Sequence, residues 1–360
     1  MPSQHNQHFK SFFSTLQDDL RNSNAYATFR KESKEVTDFY LTDPQREELK
    51  RMKRIKGSFY ITGWVLKAMF YKLTPLRRIM FVIGTLLLIN INVTSNSIQG
   101  NGILGSFFLI LVILLELKDK LLAHDELEAG RKIQETLMPE RTPNVNGWSL
   151  WLYTRSANEV CGDLIDFMKL EPGAFSIAMA DVSGKGLHAA LITAKLQATI
   201  RALAGEIRSL PELIGRINSI VHRDSPSHIF SSLVYMECSE VNGTIRYVNA
   251  GHFPALIIRG TAIQECAKGD AALGLIGTMK FAEQSVTLNS GDAIVLYSDG
   301  LTEAQNASGE FFGKDRLFSI LTSTTGAPEE RGFAVLRDVD RFTGTASPTD
   351  DLSLIIALKT

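Results

Sequence analysis

The stretch Ala180–Leu191 reads ADVSGKGLHAAL and marks a change from one kind of secondary structure to another. The apolar run Phe175–Ala180 predicts a β-strand, and Leu187–Leu203 predicts a helix with a narrow apolar stripe. The two glycines of SGKG allow a tight turn between these elements. Asp181 is therefore expected at the point where a strand ends, close to the start of a helix.

Three further aspartates lie in short turn motifs: Asp163 in CGD, Asp299 in SDG and Asp350 in TDDLS. Mg²⁺ and Mn²⁺ prefer octahedral sites made of oxygen ligands, which carboxylates supply. Two such ions held together can activate a water as a nucleophile. With Asp181, these residues predict a centre of two divalent cations, Mn²⁺ or Mg²⁺, since the same ligands suit both ions. The alternative is that the aspartates cap strands and helices in turns.

From about Trp148 onward, short apolar or β-branched runs alternate with glycine-containing turns, a pattern typical of strands. Strands are predicted at residues 175–180, 232–238, 244–249, 255–259, 284–288, 293–297 and 352–358. Helices are predicted at Leu187–Leu203 and Pro211–Val221. Many antiparallel strands with two adjacent helices predict an α+β sandwich.

Six blocks of sequence, taken together and in order, carry a resemblance to one family. They are Gln134–Pro139 (QETLMP), Glu159–Phe167 (EVCGDLIDF), Ala180–Leu191, Tyr247–Pro254 (YVNAGHFP), Leu296–Glu303 (LYSDGLTE) and Thr349–Ile355 (TDDLSLI). The set resembles the motifs of the bacterial stress and sporulation phosphatases, a branch of the PP2C-type (PPM) serine/threonine phosphatases. The resemblance covers about residues 125–358. Its strength lies in the whole set, because single DG or AGH tripeptides are common turns.

The resemblance implies a PP2C-like αββα sandwich, in which helices flank two β-sheets and two Mn²⁺ or Mg²⁺ ions lie at one edge. The implied metal ligands are Asp163, Asp181, Asp299, Asp350 and the backbone carbonyl of Val182. Asp163, Asp181 and Asp299 are the implied catalytic residues, with Asp181 bridging both ions. A water between the ions would attack the phosphorus in line, without a covalent intermediate.

Neighbouring residues have weaker assignments. Asp166 and Asp351 are predicted to support the ligands or to cap turns, and Asp351 is an alternative to Asp350 as the ligand. The sequence also departs from the family pattern at two positions. Cys161 stands where the family has the first glycine of GGD, and Lys185 stands where it has a histidine, so that proton donor is absent. Lys185 is instead a candidate for holding the phosphate.

Basic and apolar segments precede this region. Residues 46–78 contain ten Lys or Arg and only two acidic residues. Two apolar runs follow, Ile79–Val93 and Ile103–Leu115, and basic residues flank their outer ends. This pattern predicts a transmembrane helical hairpin over residues 79–117, with both chain ends in the cytoplasm and the protein in the inner (cytoplasmic) membrane. The alternative is a buried helical hairpin in a soluble domain.

The remaining segments complete the predicted organisation. Residues 1–57 form a polar, cytoplasmic N-terminal region without a motif. Residues 58–78 are basic and aromatic, and suit an amphipathic helix at the membrane interface or packing beside the hairpin. Residues 118–140 are predicted to be a linker helix, either a plain spacer or a homodimerising signal helix that gates the aspartate site. Residues 141–360 form the predicted phosphatase domain.

Charge and cysteine content narrow the functional classes. The net charge of -1 gives no overall footprint for nucleic-acid binding. The three cysteines are widely separated and form no disulfide framework, which favours a reducing cytosol. The resemblance implies a phosphorylated protein as substrate, usually a STAS-type anti-sigma-factor antagonist. Two alternatives are a catalytically weak binding module in a membrane complex and a metallohydrolase of small phosphate esters.

Overall fold

The structure, a computed structural model, describes residues 41, 43–50, 52, 54–90, 101–170, 173–226 and 229–360. The chain divides into two compact units, residues 1–121 and 122–360, and each is described by itself. Most of the predicted N-terminal region, 1–57, and residues 91–100, which end the first apolar run and lead to the second, lie outside the described residues.

The described part of the first unit is helical. Its helices are α1 (Asp43–Lys50), α2 (Arg54–Lys72), α3 (Pro75–Asn90) and α4 (Asn101–Leu137), the last of which continues into the second unit. Helices α3 and α4 approach closely where two glycines meet, since a Cβ on Gly84 would lie 3.1 Å from the carbonyl oxygen of Gly105. Arg77 near the start of α3 pairs with Glu116 at 2.6 Å and with Asp119 at 2.7 Å. The two helices are therefore antiparallel.

The predicted transmembrane hairpin over residues 79–117 is not supported. Among the residues that the structure describes, no helix is both long enough and apolar enough to cross a bilayer. In α4, charged residues begin at Glu116, directly after the apolar run.

The second unit contains two five-stranded antiparallel sheets. Its strands are β1 (Trp148–Arg155), β2 (Asp163–Leu170), β3 (Ala174–Val182), β4 (Ser231–Ser239), β5 (Thr244–Ala250), β6 (Leu256–Arg259), β7 (Ala262–Glu265), β8 (Gln284–Thr287), β9 (Ala293–Tyr297) and β10 (Leu352–Lys359). The first sheet has the order β1-β10-β9-β6-β7, and the second has the order β2-β3-β4-β5-β8. All strand pairs are antiparallel.

Helices cover the outer face of both sheets. The helices of this unit are α5 (Leu187–Ala204), α6 (Leu210–Asp224), α7 (Asp299–Thr302), α8 (Lys314–Ser323) and α9 (Pro328–Thr343). Apolar residues of α5 and α6 pack on the second sheet, and those of α8 and α9 pack on the first. A third apolar cluster lies between the two sheets. The predicted α+β sandwich with flanking helices is confirmed as a four-layer αββα arrangement.

Alternation along the strands explains why both faces of each sheet are buried. In β3, Phe175, Ile177 and Met179 point into the layer between the sheets, whereas Ala178 and Ala180 point towards α5 and α6. All five side chains are at most 2% exposed. Burying one large apolar side chain stabilises the fold by about 1.5–3 kcal/mol, so these strands anchor the residues at their ends.

Candidate active site

Two of the predicted ligands meet directly across neighbouring strands. Asp163 begins β2 and lies opposite Asp181 in the register with β3. Strand alternation places Asp163 on the same face as Ile165, and Asp181 on the same face as Met179, both of which line the layer between the sheets. Both carboxylates therefore lie at one end of the inner face of the second sheet, and Asp163 is only 2% exposed.

The other two predicted ligands come from neighbouring strands of the first sheet. Asp299 follows β9, and Asp350 stands two residues before β10, which pairs with β9. Gly300 is required here, because a Cβ at this position would lie 2.1 Å from the carbonyl oxygen of Asp351. The SDG motif thus allows the turn after β9 to pack against the start of β10.

Burial and mutual repulsion raise the pKa of three of these carboxyl groups. Burial raises the pKa of Asp163 well above its ordinary value, and the charge of Asp181 adds to the effect. Burial, followed by the charges of Asp299, Asp350 and Asp351, raises the pKa of Asp181 to about 7. Burial and then Asp350 raise the pKa of Asp299. The site therefore concentrates negative charge that a cation would stabilise.

The side chains as they stand do not form a ready metal site. Among the described residues, no group of three or more His, Cys, Asp or Glu side chains is arranged so that it could hold a metal ion. The chemistry of the set nevertheless suits a hard divalent cation, because it offers carboxylate oxygens with little opposing positive charge. Val182, whose backbone carbonyl was predicted to be a ligand, ends β3 beside Asp181 and packs its side chain near Ala189 and Ile229.

Two hydroxyl groups that the sequence analysis missed orient Asp163. Ser353 Oγ donates a hydrogen bond of 2.6 Å to Asp163 Oδ2. Thr154 Oγ1 lies 2.8 Å from Ser353 Oγ and supplies the second link, since the serine proton is already used. Ser353 could have been found from its position in TDDLS, two residues beyond Asp351, but only if the strand register were known.

Asp351 has a different role from Asp350. Its carboxylate accepts hydrogen bonds from the backbone N–H of Gly162 at 2.5 Å and of Ala157 at 2.7 Å, and from Ser156 Oγ at 3.2 Å. Asp351 therefore fixes the loop that leads into Asp163. Asp350 projects towards Lys185 instead, whose Nζ lies 3.0 Å from its Oδ2.

Lys185 is committed to a protein contact. Its ammonium group donates to the carbonyl oxygen of Thr349 at 2.6 Å as well as to Asp350. More than half of the Lys185 side chain is exposed. Lys185 therefore forms an ion pair with Asp350, a predicted metal ligand, at the edge of the aspartate cluster.

Asp166 lies on the opposite face of β2 from Asp163. It is 1% exposed and accepts hydrogen bonds from Arg201 Nη2 at 2.6 Å, Arg201 Nε at 3.0 Å and Gln197 Nε2 at 3.2 Å. Gln197 and Arg201 both lie on α5, and both also donate to the carbonyl oxygen of Leu137. The distances to that oxygen are 2.9 Å from Gln197 Nε2 and 3.3 Å from Arg201 Nη2. Asp166 thus organises the junction between α5 and the end of α4, away from the aspartate cluster.

Replacing Asp166 with Ala is expected to lower the free energy of unfolding by about 2 kcal/mol, because the buried Gln197 amide loses a charged acceptor, whereas the 39% exposed Arg201 can turn to water. Urea unfolding followed by circular dichroism would measure the loss. Asp350→Ala, which removes a half-exposed carboxylate, is the matched control and should cost less than about 1 kcal/mol. Equal losses in the two variants would contradict this role for Asp166.

Cys161, one of the two departures from the family pattern, is accommodated locally. Cys161 is buried, and its backbone N–H and carbonyl both bond to the side-chain amide of Gln134 at 3.0 Å. Its Sγ lies 3.7 Å from Thr154 Oγ1, and burial raises the pKa of the thiol. His252 of the AGH block is also buried, bonds to Ser232 Oγ at 2.8 Å, and has a pKa lowered by burial to about 4.

Comparisons with known proteins agree with this architecture. The family model described as Stage II sporulation protein E (SpoIIE) matches residues 171–359, more than half of the chain. The chain belongs to this family, and the predicted family resemblance is confirmed.

Curated relatives extend the match. Protein IcfG of Synechocystis sp. is 28% identical over 281 residues, which cover 67% of this chain and 43% of the relative. Phosphoserine phosphatase RsbP of Bacillus subtilis is 28% identical over 190 residues, covering 51% of this chain and 47% of the relative. Phosphoserine phosphatase RsbU of the same organism is 27% identical over 187 residues, covering 51% and 55%. The chain spans about half the length of these relatives.

Solved structures share the fold. The SiaA-PP2C domain of Pseudomonas aeruginosa aligns with a TM-score of 0.58 at 17% identity, covering 67% of this chain and 98% of that domain. The RsbU and RsbW domains of Rv1364c from Mycobacterium tuberculosis align with a TM-score of 0.52 at 24% identity, covering 60% and 61%. The αββα sandwich is thus a PP2C-like fold.

Proposed function

We propose that this chain is a metal-dependent protein serine/threonine phosphatase, which hydrolyses phosphoserine or phosphothreonine on a regulatory protein. The observation that carries the proposal is that Asp181 lies opposite Asp163 in the sheet register and is close enough to Asp299 and Asp350 for their charges to raise its pKa. Membership of the SpoIIE family supports it, and two of the relatives are named phosphoserine phosphatases.

In this proposal the four aspartates and the Val182 carbonyl would hold two divalent cations, Mn²⁺ or Mg²⁺. The ions would activate a water and offset the charge of the phosphate. The chain's own groups prepare that site. Ser353 fixes one oxygen of Asp163 through its 2.6 Å hydrogen bond, and the acceptor contacts of Asp351 hold the loop before it.

The start of α5 offers a second contribution to phosphate binding. Gly186 precedes the helix with φ of 74°, and in the described residues no side chain caps its first N–H groups. Free N–H groups and the helix dipole favour an anion at this end. The turn from Asp181 to α5 would therefore bring the phosphate next to the carboxylates that hold the cations.

The direct test is phosphate release from a phosphoserine peptide by the full chain, with Mn²⁺ and then with excess chelator. Turnover that requires the metal is expected. No turnover with any divalent cation, from a protein that circular dichroism shows to be folded, would reject the enzyme assignment.

A second candidate function is a catalytically weak binding module that docks phosphoproteins. The arrangement of the carboxylates favours it, since no metal-holding group stands ready among the described residues. Isothermal titration with Mn²⁺ separates the two candidates, because the phosphatase requires cation binding and a docking module does not. Tight Mn²⁺ binding that Asp181→Asn removes would favour the enzyme.

Lys185 is expected to compete with a cation for Asp350. Replacing Lys185 with Gln should raise the affinity for Mn²⁺ by about 2–5-fold, the range that a largely exposed ion pair can contribute. Mn²⁺ titration would measure the change. Lys195→Gln provides the control, because that lysine pairs with Asp224 outside the cluster. Lower Mn²⁺ affinity in Lys185→Gln would contradict the competition and favour a direct supporting role.

The substrate class is proposed from the family resemblance. A phosphorylated STAS-type anti-sigma-factor antagonist is the partner that the sequence motifs imply. Comparing turnover of such a phosphoprotein with that of a short phosphoserine peptide would test it. Equal catalytic efficiency on the phosphoprotein and on the peptide would show that the phosphatase recognises only the phosphorylated residue.

Regulation through the linker helix, including a homodimer, is proposed from the surface of α4. Leu122 and Ile133 are 52% and 64% exposed, which leaves apolar side chains available for a second copy. The last carbonyl of α4, on Leu137, is bound by Gln197 and Arg201 of α5. A shift of the linker would therefore act on the helix whose start adjoins Asp181.

Replacing Leu127, Ile133 or Leu137 with Ala is expected to lower turnover several-fold in at least one variant, through a coupling of about 1 kcal/mol or more. Mn²⁺ affinity should remain unchanged. Phosphate release and Mn²⁺ titration are the two measurements, and Glu126→Ala on the same helix is the control. Unchanged turnover in all three folded variants would reject the gate.

Association with the cytoplasmic membrane, with the phosphatase domain in the cytoplasm, is also a proposal. Exposed apolar side chains on α3 and α4 support it, with Leu86, Ile103 and Ile113 each 60% exposed or more. Flotation of the full chain with lipid vesicles would test it. A chain that stays with the soluble fraction would reject it.

A further inference from the structure

A cleft of about 460 Å³ lies between the end of α4, strand β1 and the loop that leads into β2. Its volume falls in the range of small-molecule sites. All of its lining residues belong to the second unit, and none of them is one of the proposed metal ligands. The cleft is therefore a separate feature from the aspartate cluster.

The lining of the cleft is rich in arginine. Arg131, Arg141 and Arg155 line it, together with one carboxylate, Glu135. Arg131 pairs with Glu135 at 3.0 Å, and Arg155 pairs with Asp340 at 2.8 Å. Arg141 forms no ion pair with any residue that the structure describes. Its guanidinium lies 5.4 Å from the centre of the Tyr153 ring, which orients it while leaving its N–H donors for another acceptor.

The remaining lining residues indicate which chemical groups a ligand would need besides an anion. Met138 and Pro139 are partly exposed and supply apolar surface above the buried Leu152 and Ile165, and the hydroxyl-bearing residues Thr154 and Ser156 supply polar groups. An occupant that matches both halves has one anionic group for the arginine side and an apolar or aromatic body for the opposite wall.

We propose that this cleft binds a small organic anion, a phosphate or carboxylate carried on an apolar body, with Arg141 as its main charged partner. A ligand in this cleft would contact residues that are connected to the aspartate cluster. Thr154 lines the cleft and is linked through Ser353 to Asp163, while Gln134, also in the lining, holds the backbone of Cys161. An occupant would tie the end of the linker helix to the strand that carries Asp163.

Phenylphosphonate is a suitable probe, because it combines an anionic group with an aromatic ring and has no ester bond to hydrolyse. Isothermal titration of the full chain with excess chelator should detect binding, and benzyl alcohol should not bind. Arg141→Gln is expected to weaken binding at least tenfold, or about 1.4 kcal/mol. Asp299→Asn and the exposed control Arg341→Gln should leave it unchanged.

A second measurement needs no variant. Phenylglyoxal modifies accessible guanidinium groups, and mass spectrometry locates the modified arginines. Phenylphosphonate should protect Arg141 in the wild-type chain and leave Arg341 reactive. Affinity that survives Arg141→Gln, affinity that is lost in Asp299→Asn, or an unprotected Arg141 would each overturn the proposal. The proposal does not depend on catalysis, so failure here leaves the phosphatase assignment intact.

Discussion

Replacing Asp299 with Asn is expected to lower metal-dependent phosphate release by at least about 10²-fold, and Asp181→Asn should do the same. Groups that merely support metal ligands already cost 10–100-fold when they are replaced, so loss of a ligand should cost more. The two residues come from different sheets, Asp181 from the end of β3 and Asp299 from the turn after β9. A loss in both would show that the site draws on both sheets.

The measurement is the initial rate of phosphate release at saturating Mn²⁺. Asp315→Asn is the matched control, because Asp315 also lies in the first turn of a helix. Full activity in Asp181→Asn or Asp299→Asn would remove the two-metal assignment for that residue. A parallel loss in Asp315→Asn would instead indicate a general effect on folding.

Without divalent cations, the contribution of Asp181 to the stability of the second unit is expected to fall as the pH rises from about 4 to 7. The pKa of Asp181 is about 7 in the folded chain and 3.8 in the reference state. A carboxyl group whose folded pKa is raised binds its proton more tightly in the folded state. Its stabilising effect is fully present below the unfolded pKa and is lost as the pH passes through the folded pKa.

The effect of this one group is about 2–4 kcal/mol between those two pH values. Asp181→Asn keeps the size of the side chain and removes the titration. The variant should therefore be more stable than the wild type at pH 7 in chelator, and the difference should shrink towards pH 4. Urea unfolding at a series of pH values would measure both curves. A constant difference across that range would contradict the prediction.

Much of the sandwich could be predicted because most of its strands are short apolar runs between turns. Predicted strands at residues 244–249 and 293–297 correspond to β5 and β9 within one residue at either end. Strand β2 was missed, because its sequence DLIDFMKL carries charges on both faces. Those charges have separate purposes, since Asp163 joins the aspartate cluster and Asp166 binds Arg201.

Helix α9 was also missed. Its sequence PEERGFAVLRDVDRFT is largely charged, and its buried side depends on the first sheet being in place. One contact illustrates this, since a Cβ on Gly332 would lie 2.2 Å from the Trp151 ring. Close packing of a glycine on a tryptophan 181 positions earlier leaves no local signal in the sequence.

The identity of the site aspartates was readable from turn motifs, whereas the roles of their neighbours were not. Asp166 is three residues from Asp163, and strand alternation puts an odd spacing on opposite faces. Asp166 was predicted to support the ligands or to cap a turn because β2 was not predicted as a strand. Lys185 and Asp351 likewise acquire their partners, Asp350 and the N–H of Gly162, from distant parts of the chain.

The pairing of β1 with β10 has a consequence for biosynthesis. The first strand of the domain lies beside the last, with Trp148 opposite Lys359 and Arg155 opposite Leu352. During translation, β1 leaves the ribosome long before its neighbour exists, so the first sheet cannot close until residues 352–359 emerge. The same late segment brings Asp350 and Ser353 to the site. A nascent chain thus closes the first sheet and completes its set of carboxylates together, once β10 has emerged.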